Sequence, residues 1–265
     1  MSQPGISNQP ALLVGTQPRA EADSLVRLFT PGFGALTLVA RSLRKPGSKL
    51  AGQLKPADEL LVSAAGGRGG GRILTSVSSQ RDHRIWQQDL NLLALYWFML
   101  ECSWLASADE SSNADGFRLL VNLLRSVEGA EQRNSLAAVF CIRFLALHGM
   151  LPDLHHDEDS DEPLAGDALC RASFNGLVDA VRAASAGIPP YGLLRIRAER
   201  LQRWRRLMSR PLLEYAGQEA DAADVSLLVG FTRNHVAESA GTAVRSAEFL
   251  QRQWKLSSLQ DMAGG

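Results

Sequence analysis

The chain has 265 residues, of which 45% are hydrophobic and 21% are charged, and it carries 28 basic and 28 acidic residues. This composition is typical of a folded globular protein and excludes a disordered tail, while the zero net charge argues against indiscriminate binding of nucleic acid. The longest apolar run, LLALYWFML at 92–100, is much shorter than the roughly 20 residues that a membrane-spanning helix needs.

The N-terminus and the cysteines indicate the compartment. No basic segment precedes an apolar core in MSQPGISNQPALLVG, so the sequence predicts no secretion signal. Cys102, Cys141 and Cys170 form no CxxC pair, which argues against a disulfide framework or a zinc ribbon. We therefore expect a cytoplasmic protein.

Up to about residue 80 the sequence predicts short β-strands. Aliphatic and β-branched segments alternate with turn-forming residues, and the glycine-rich GGRGGG at 66–71 is typical of a hairpin. Leu36 and Leu38 alternate with Thr37 and Val39, as a half-buried strand requires. Strands that are so short and so closely spaced predict a small closed barrel, which leaves no exposed edge. The five predicted strands are 11–16, 24–30, 35–40, 59–65 and 72–78.

A cationic segment interrupts this strand pattern. No acid occurs from Thr37 to Ala57, although the chain as a whole is neutral. On a loop that emerges from a barrel, such cations can meet phosphates and release counterions, which gives affinity independent of base sequence. The alternative is a solvated loop, since many loops are basic for solubility alone. The five cations, grouped around the turn at Pro46-Gly47, are Arg41, Arg44, Lys45, Lys49 and Lys55.

After residue 82 the apolar residues recur with the period of a helix. Spacings of four and three place six of them on one stripe: Trp86, Leu90, Leu93, Trp97, Leu100 and Trp104. Further helices are predicted near 117–127, 136–151, 173–185, 193–208, 222–238 and 244–254. The predicted organisation is therefore an α+β chain with a barrel domain at 1–81 and an all-helical domain at 82–265.

Two strongly charged segments lie in the second half. Residues 153–167 hold seven acidic residues and no basic one. The segment 153–168 also shows no periodicity, which predicts an exposed acidic loop. Residues 195–210 hold seven arginines against Glu199. This second segment predicts a helix with an inward stripe and arginines on another face. The expected stripe is Ile196, Leu201, Trp204 and Met208, and the arginines expected on or near another face are Arg200, Arg203 and Arg206.

The role of the arginine-rich helix stays open at this point. It is a solvated face, a second DNA surface, a dock for an acidic peptide, or an internal partner of the acidic loop.

The segment from Ala11 to Val77 resembles the N-terminal domain of the RecO family of recombination mediators. The residues LVRLFT follow an acid-Ser turn, as in that family, and a strand leads from there into the basic loop. FTRNHVAESAGTAVRSAEFLQ at 231–251 is similar to the family's closing helix, glycine turn and final segment. The element S-x-L-x-G-x-L-x-P is matched by Ser48, Leu50, Gly52, Leu54 and Pro56.

The resemblance implies an oligonucleotide-binding (OB) barrel followed by a helical domain, with no catalytic activity. Members bind single- and double-stranded DNA, anneal complementary strands and help load the RecA recombinase on DNA covered by single-stranded-DNA-binding protein. They act with RecR and dock on the acidic C-terminal tail of the single-stranded-DNA-binding protein. The resemblance also implies a cytoplasmic protein that associates with the nucleoid during repair, and it favours the DNA-binding interpretation of the basic loop.

The sequence departs from the family at its zinc site. Many members hold a structural zinc through four cysteines in the middle region, whereas this region offers Cys170 and the pair His155-His156 on the acidic loop. A structural zinc site needs four well-spaced ligands, and neighbouring residues on a loop point in different directions. We therefore predict no zinc and no cofactor.

The partner surface also departs from the family. In the closing segment, Arg245 alone keeps the charge of the family pattern, and two arginines of some relatives are replaced by Ala138 and Val139. Arg143, one turn further along, is a candidate substitute. Because an acidic peptide needs an apolar pocket with a cation, we assign the tail to the helical domain. Arg143, Arg203 and Arg245 are the candidate anchors.

The sequence gives little support to catalysis. GGRGGGR lacks the GK[ST] ending of a phosphate-binding loop. His83, His148 and His235 stand alone among apolar or mixed residues, and no nucleophile and base share a suggestive spacing. We predict a protein that is not an enzyme. Two functions stay open: a DNA-binding recombination mediator, or a RecO-like protein-interaction scaffold with little DNA affinity.

Overall fold

The computed structural model describes residues 4–67, 71–107, 111–126, 133–171, 176–187, 193–209 and 220–254. The chain divides into two compact units, Met1–Ala130 and Glu131–Gly265. Within the described residues there are eight strands, eight α-helices and one short 3-10 helix, Ala51–Gln53. A barrel followed by a helical region confirms the predicted fold class.

The first unit contains the barrel. Its strands follow the order β1-β2-β3-β5-β4, and β1 pairs antiparallel with both β2 and β4. A bulge between Leu13 and Gly15 interrupts the register of β1, which bends a strand and strengthens its twist. Val39 and Ile73 close the barrel through a parallel pair. All five predicted strands are present, with the bounds β1 Ile6–Arg19, β2 Asp23–Thr30, β3 Gly34–Ala40, β4 Glu59–Gly66 and β5 Arg72–Arg81.

Alternation along each strand fills the barrel with aliphatic side chains. Leu36 and Leu38 are buried in the interior, and Thr37 between them is exposed, as the period of two predicts. The interior cluster also includes Leu13, Val26, Leu28, Leu60, Val62, Leu74 and Val77.

Three helices follow the barrel within the first unit: α1 Arg84–Gln88, α2 Leu90–Leu105 and α3 Ala114–Ser126. The predicted helix over 86–104 is divided in two, because Asp89 adopts an extended backbone and its side chain accepts a hydrogen bond from Leu92 N at 2.9 Å. Such a cap begins a new helix. Leu90, expected on the inward stripe, is 53% exposed.

Polar contacts tie these helices to the barrel. Tyr96 Oη of α2 donates to the carbonyl of Leu13 at 2.9 Å. Glu59, at the start of β4, accepts from His83 Nε2 at 2.9 Å and from Arg125 of α3 at 2.5 Å. The barrel and α1 to α3 thus share one compact unit, and the division into domains at residues 1–81 and 82–265 stays a prediction.

The second unit is mainly helical, with α4 Arg133–Leu147, α5 Ala180–Ser185, α6 Ala198–Ser209, α7 Ala222–Ala240 and α8 Arg245–Trp254. Its core lies where α4 packs against α6 and α7. Trp204 of α6 meets Phe231 of α7 edge to face, with ring centroids 6.5 Å apart. Gly241 ends α7 in a left-handed conformation, with φ at 63°, which a residue without a Cβ adopts without strain.

A small antiparallel sheet makes this unit less helical than predicted. Its order is β7-β6-β8, with the bounds β6 Ala168–Arg171, β7 Val178–Asp179 and β8 Leu193–Ile196. The helices predicted over 173–185 and 193–208 were therefore partly wrong, since Val178–Asp179 and Leu193–Ile196 pair with β6; residues 173–175 lie outside the described residues. Pairing with a distant strand overrides the local helical pattern there.

The loop at 153–167 is more ordered than a solvated acidic loop. Asp157 is 3% exposed, and its carboxylate accepts from Asp159 N, Ser160 N and Asp179 N at 2.6–3.1 Å. Arg182 of α5 forms an ion pair with it. Burial alone would raise the pKa of Asp157, but these donors outweigh burial and hold the pKa below its ordinary value.

Candidate nucleic-acid interface

The five predicted DNA-binding cations lie on the loop that joins β3 to β4, residues 41–58, and all five are exposed. The loop is held down by its apolar residues: Leu43 is buried in the barrel interior, and Leu50 and Leu54 pack against it. Gly47 adopts φ +78° in the turn predicted at Pro46-Gly47, a conformation that favours glycine. The fold thus places Arg41, Arg44, Lys45, Lys49 and Lys55 in solvent on one anchored segment.

Arg44 differs from the other four cations because its guanidinium is engaged. Its Nη2 donates to the carbonyls of Ala20 and Glu21 at 2.5 and 2.6 Å, and its backbone N–H donates to Ala22 O at 3.0 Å. Ser42 N donates to Asp23 Oδ1 at 2.7 Å. These bonds fix the basic loop to the turn between β1 and β2.

Nearby carboxylates leave the positive charge of the loop largely uncompensated. Asp58, at the end of the loop, is 1% exposed and accepts from Ser79 Oγ at 2.8 Å and Gln87 Nε2 at 2.6 Å. Within the described part of the chain, no ion pair joins an acid to Arg41 or to Lys45, Lys49 or Lys55. An anionic ligand can therefore meet these cations without first displacing an internal partner.

Arg27 is a candidate that the sequence pattern did not single out. It lies in β2 within the LVRLFT strand, but its side chain is exposed and its Cζ lies 5.4 Å from the ring centroid of Trp104 in α2. Its Nη2 donates to Gln17 Oε1 at 3.1 Å. The alternation of the strand already placed Arg27 outside the barrel; the contact with Trp104 depends on tertiary structure.

Arg143, the first predicted partner residue, lies half-buried in α4, and its Nε donates to the carbonyl of Leu207 in α6 at 3.3 Å. Leu147 is one helical turn further along α4, and Met208 follows Leu207 in α6. Their side chains are 41% and 42% exposed. Arg143 thus joins α4 to α6. We give the name α4–α6 patch to Arg143 together with the exposed apolar residues Leu147 of α4 and Met208 of α6.

Arg203 has an internal partner. Its guanidinium bonds Asp224 Oδ2 at 2.7 Å, Arg200 bonds Oδ1 of the same carboxylate, and Asp224 is 3% exposed. Arg200 and Arg203, expected on or near a face other than the inward stripe, both pair with this buried acid because the first turn of α7 places it against them. The prediction that Met208 belongs to the inward stripe of this helix was also wrong. Met208 is exposed, and Leu207 is buried instead.

Two other arginines contact the acidic loop. Arg205 donates from Nε to Leu154 O at 2.8 Å and from Nη2 to Leu164 O at 3.2 Å. Arg195 lies 3.8 Å from Asp167. Of the interpretations left open for the arginine-rich helix, the structure supports internal pairing with this loop. Arg245, the last predicted partner residue, is exposed at the first position of α8.

Comparison with known proteins identifies the family of this chain. The model of the recombination protein O N-terminal domain matches residues 1–80, and that of its C-terminal domain matches residues 87–238. The chain belongs to the RecO family. The first match covers the barrel with its basic loop, and the second covers both the α4–α6 patch and the arginine-rich helix.

Several curated RecO proteins are similar to this chain. It is 30% identical over 154 residues to the DNA repair protein RecO of Dehalococcoides mccartyi, covering 58% of this chain and 60% of the relative. It is 28% identical over 174 residues to that of Chromobacterium violaceum, covering 64% and 69%. The chain thus spans about 60% of the length of the Dehalococcoides relatives that it matches.

Cys170, His155 and His156 are the residues that the middle region offers as metal ligands. His156 Nδ1 lies 2.8 Å from Asp153 Oδ2, and the rings of His155 and His156 are 6.4 Å apart. Burial raises the pKa of the Cys170 thiol to about 12, which disfavours the thiolate that binds a metal. Among the described residues, no three His, Cys, Asp or Glu side chains form a group that could hold a metal ion.

No described helix is both long and apolar enough to cross a membrane.

Proposed function

We propose that this RecO-family chain is a non-catalytic DNA repair mediator. It binds single-stranded and double-stranded DNA, anneals complementary strands, and helps load the RecA recombinase on DNA covered by single-stranded-DNA-binding protein. The observation that carries the proposal is the anchored basic loop of the barrel, with its exposed cations in a chain of zero net charge. Membership in the RecO family supports the same conclusion.

The loop is suited to binding a nucleic acid through its negatively charged phosphates, independently of the base sequence. Its cations are in solvent, so phosphates can approach them without any cost of uncovering a core. Neutralised phosphates release their counterions, and this release gives affinity that does not depend on sequence. Such binding suits a mediator, which must act wherever a single strand is exposed.

A titration of the full chain with a fluorescent single-stranded oligonucleotide, repeated at several salt concentrations, tests the proposal. We expect affinity that falls steeply with salt. The matched variants are Lys45→Ala/Lys49→Ala, which removes two loop cations, and Arg197→Ala, which removes one exposed cation in the second unit. Binding that is absent at low salt, or indifferent to the loop variant, would favour the protein-interaction scaffold instead.

We assign the acidic tail of the single-stranded-DNA-binding protein to the α4–α6 patch. A carboxylate loses hydration when it docks and needs a charged donor in return, while the apolar end of the peptide needs an apolar surface. Arg143 with Leu147 and Met208 offers both. Arg203 is a weaker anchor than predicted because Asp224 already engages it, and Arg245 is exposed on a different helix.

The tail assignment is tested with a synthetic acidic peptide and the full chain. Arg143→Gln and Met208→Ser should each lower the affinity for the peptide and leave the affinity for DNA unchanged. Arg245→Gln shows whether α8 contributes to peptide binding. Peptide binding that survives the Arg143 and Met208 variants would remove the patch from the assignment. RecR is the further partner that we propose from family membership.

A further inference from the structure

The second end of the basic loop is held by a residue that lies outside the barrel strands. Gln87 of α1 extends its side-chain amide to the loop, where Nε2 donates to the carbonyl of Pro56 at 2.9 Å and to Asp58 Oδ1 at 2.6 Å. One amide group thus bridges the residues on either side of Ala57. We name these two hydrogen bonds the Gln87 bridge. The bridge joins the loop that carries the cations to the helix that follows the barrel.

The backbone of Ala57 shows what the bridge has to hold. Ala57 is fully buried and its φ is 62°, a left-handed conformation that glycine adopts readily and other residues adopt at a cost. Such a conformation persists where the surrounding structure fixes it. The bridge supplies that restraint, because it holds the residue before Ala57 and the residue after it. Asp58 is 1% exposed, and its other oxygen accepts from Ser79 Oγ at 2.8 Å, so this end of the loop is fixed from two sides.

The bridge also determines where Lys55 lies. A residue before proline is restricted to extended backbone conformations, so the backbone of Lys55 follows the position of Pro56. Pro56 is half-buried, whereas Lys55 is exposed. Fixing the carbonyl of Pro56 therefore fixes the point from which the Lys55 side chain enters solvent. A group that is already in place loses less conformational freedom when it binds, so the bridge favours a phosphate contact without touching the phosphate.

The first end of the loop has a separate anchor. The guanidinium of Arg44 binds two carbonyls in the turn between β1 and β2, and Lys45 follows Arg44 directly. No atom of that anchor takes part in the Gln87 bridge. The two cations therefore depend on different contacts: Lys45 lies beside the Arg44 anchor, and Lys55 lies beside the Gln87 bridge.

We propose that Gln87 is a positioning residue for DNA binding. It holds Pro56 and Asp58 so that Lys55 meets a phosphate, and it does not contact the DNA itself. The machinery that binds a single strand therefore extends beyond the barrel into α1. The proposal rests on the proposed function and deepens it, because it requires that the cations of the basic loop contact phosphates.

A salt titration of the full chain with a fluorescent oligothymidine tests the role of Gln87. Gln87→Leu keeps a side chain of similar size and removes both donors. Its affinity should fall about fivefold at 0.1 M salt, and the slope of log K against log salt should flatten by about 0.7, which is the contribution of one phosphate contact. Gln88→Leu is the matched control, since it makes the same change at the neighbouring exposed position and should bind as wild type does.

Melting curves check that each variant is folded at the assay temperature. Gln87→Asn is the milder second variant, because it keeps the amide on a side chain that is one methylene shorter and cannot reach both acceptors. It should change affinity and slope in the same direction as Gln87→Leu. Ser79→Ala removes a bond to Asp58 but leaves the Gln87 bridge intact, so it should bind DNA as wild type does. A Ser79→Ala effect as large as that of Gln87→Leu would indicate a general loss of stability and overturn the inference.

A double-mutant cycle separates positioning of one cation from a change to the whole loop. If Gln87 acts through Lys55, the pair Gln87→Leu/Lys55→Ala should bind no more weakly than either single variant. The effects of Gln87→Leu and Lys45→Ala should instead multiply, because the two positions are independent. Effects that multiply equally in both pairs, or a Gln87→Leu chain with wild-type affinity and slope, would overturn the inference.

Failure of this inference can be told apart from failure of the proposed function. A wild-type chain whose salt slope responds to Lys45→Ala/Lys49→Ala but not to Gln87→Leu overturns the role of Gln87 alone. A wild-type chain that binds no single strand at low salt overturns the proposed function as well.

Discussion

Replacing Arg203 with glutamate should destabilise the second unit rather than act on a partner alone. Asp224 is buried, and Arg200 and Arg203 each bind one of its oxygens. Removing one member of a buried ion pair costs about 3–5 kcal/mol. Arg203 is itself 43% exposed and Arg200 remains, so about 2 kcal/mol is the appropriate loss here.

The new carboxylate adds repulsion. Two like charges about 5 Å apart repel by about 3 kcal/mol at an effective dielectric constant of 20. The total of about 5 kcal/mol equals the lower end of the stability of ordinary domains, about 5–15 kcal/mol. Arg203→Glu should therefore leave the second unit largely unfolded or close to it at room temperature.

Urea denaturation followed by circular dichroism and tryptophan fluorescence measures this loss, since Trp204 is buried in the same helix. Arg197→Glu makes the same charge change at an exposed position and should cost little. Adding Asp224→Asn to Arg203→Glu should recover part of the stability, because the repulsion is removed. An Arg203→Glu chain as stable as Arg197→Glu would refute the internal role of Arg203.

Two further predictions concern Glu59 of the barrel and the loop that carries His155 and His156. Burial alone would raise the pKa of Glu59, but the hydrogen bonds from Arg125 and His83 outweigh burial and hold this pKa below its ordinary value of 4.5. The stability that Glu59 adds is therefore complete above pH 4.5 and is lost as the pH falls through the pKa of the folded state. In urea titrations, the advantage of wild type over Glu59→Gln should shrink below about pH 4.5, and a constant difference would contradict the lowered pKa. Purified protein should contain no stoichiometric zinc and should melt at the same temperature with a chelator, whereas one tightly held zinc per chain would show that the loop with His155 and His156 was misinterpreted.

The barrel could be predicted from the sequence because its signals are local. Alternation at Leu36, Thr37 and Leu38 and the turn at Pro46-Gly47 specify strands and a loop within a few residues. The basic loop could be located for the same reason, since its five cations are near one another in sequence and a loop leaves them exposed. What the cluster did not reveal is that Arg44 is bound to the carbonyls of Ala20 and Glu21, more than twenty residues away.

The features that were missed depend on distant partners. Strands β6, β7 and β8 have two to four residues each, which is too short for a period to show, and they exist because they pair. The burial of Asp157 requires Arg182, and the burial of Asp224 requires Arg200 and Arg203. In each case the residue type suggested solvent, and a counter-ion elsewhere in the chain made burial possible.

The salt dependence of single-strand binding tests the central claim most directly. If Arg41, Lys45, Lys49 and Lys55 each contact one phosphate, log K should fall against log salt with a slope of about −2.8 or steeper, since each contact contributes about 0.7. Lys45→Ala/Lys49→Ala should flatten that slope by about 1.4 without lowering the melting temperature, because both side chains are exposed. A slope that is unchanged in this variant, or a wild-type chain that binds no single strand at low salt, would contradict the claim that the basic loop is a DNA-binding site.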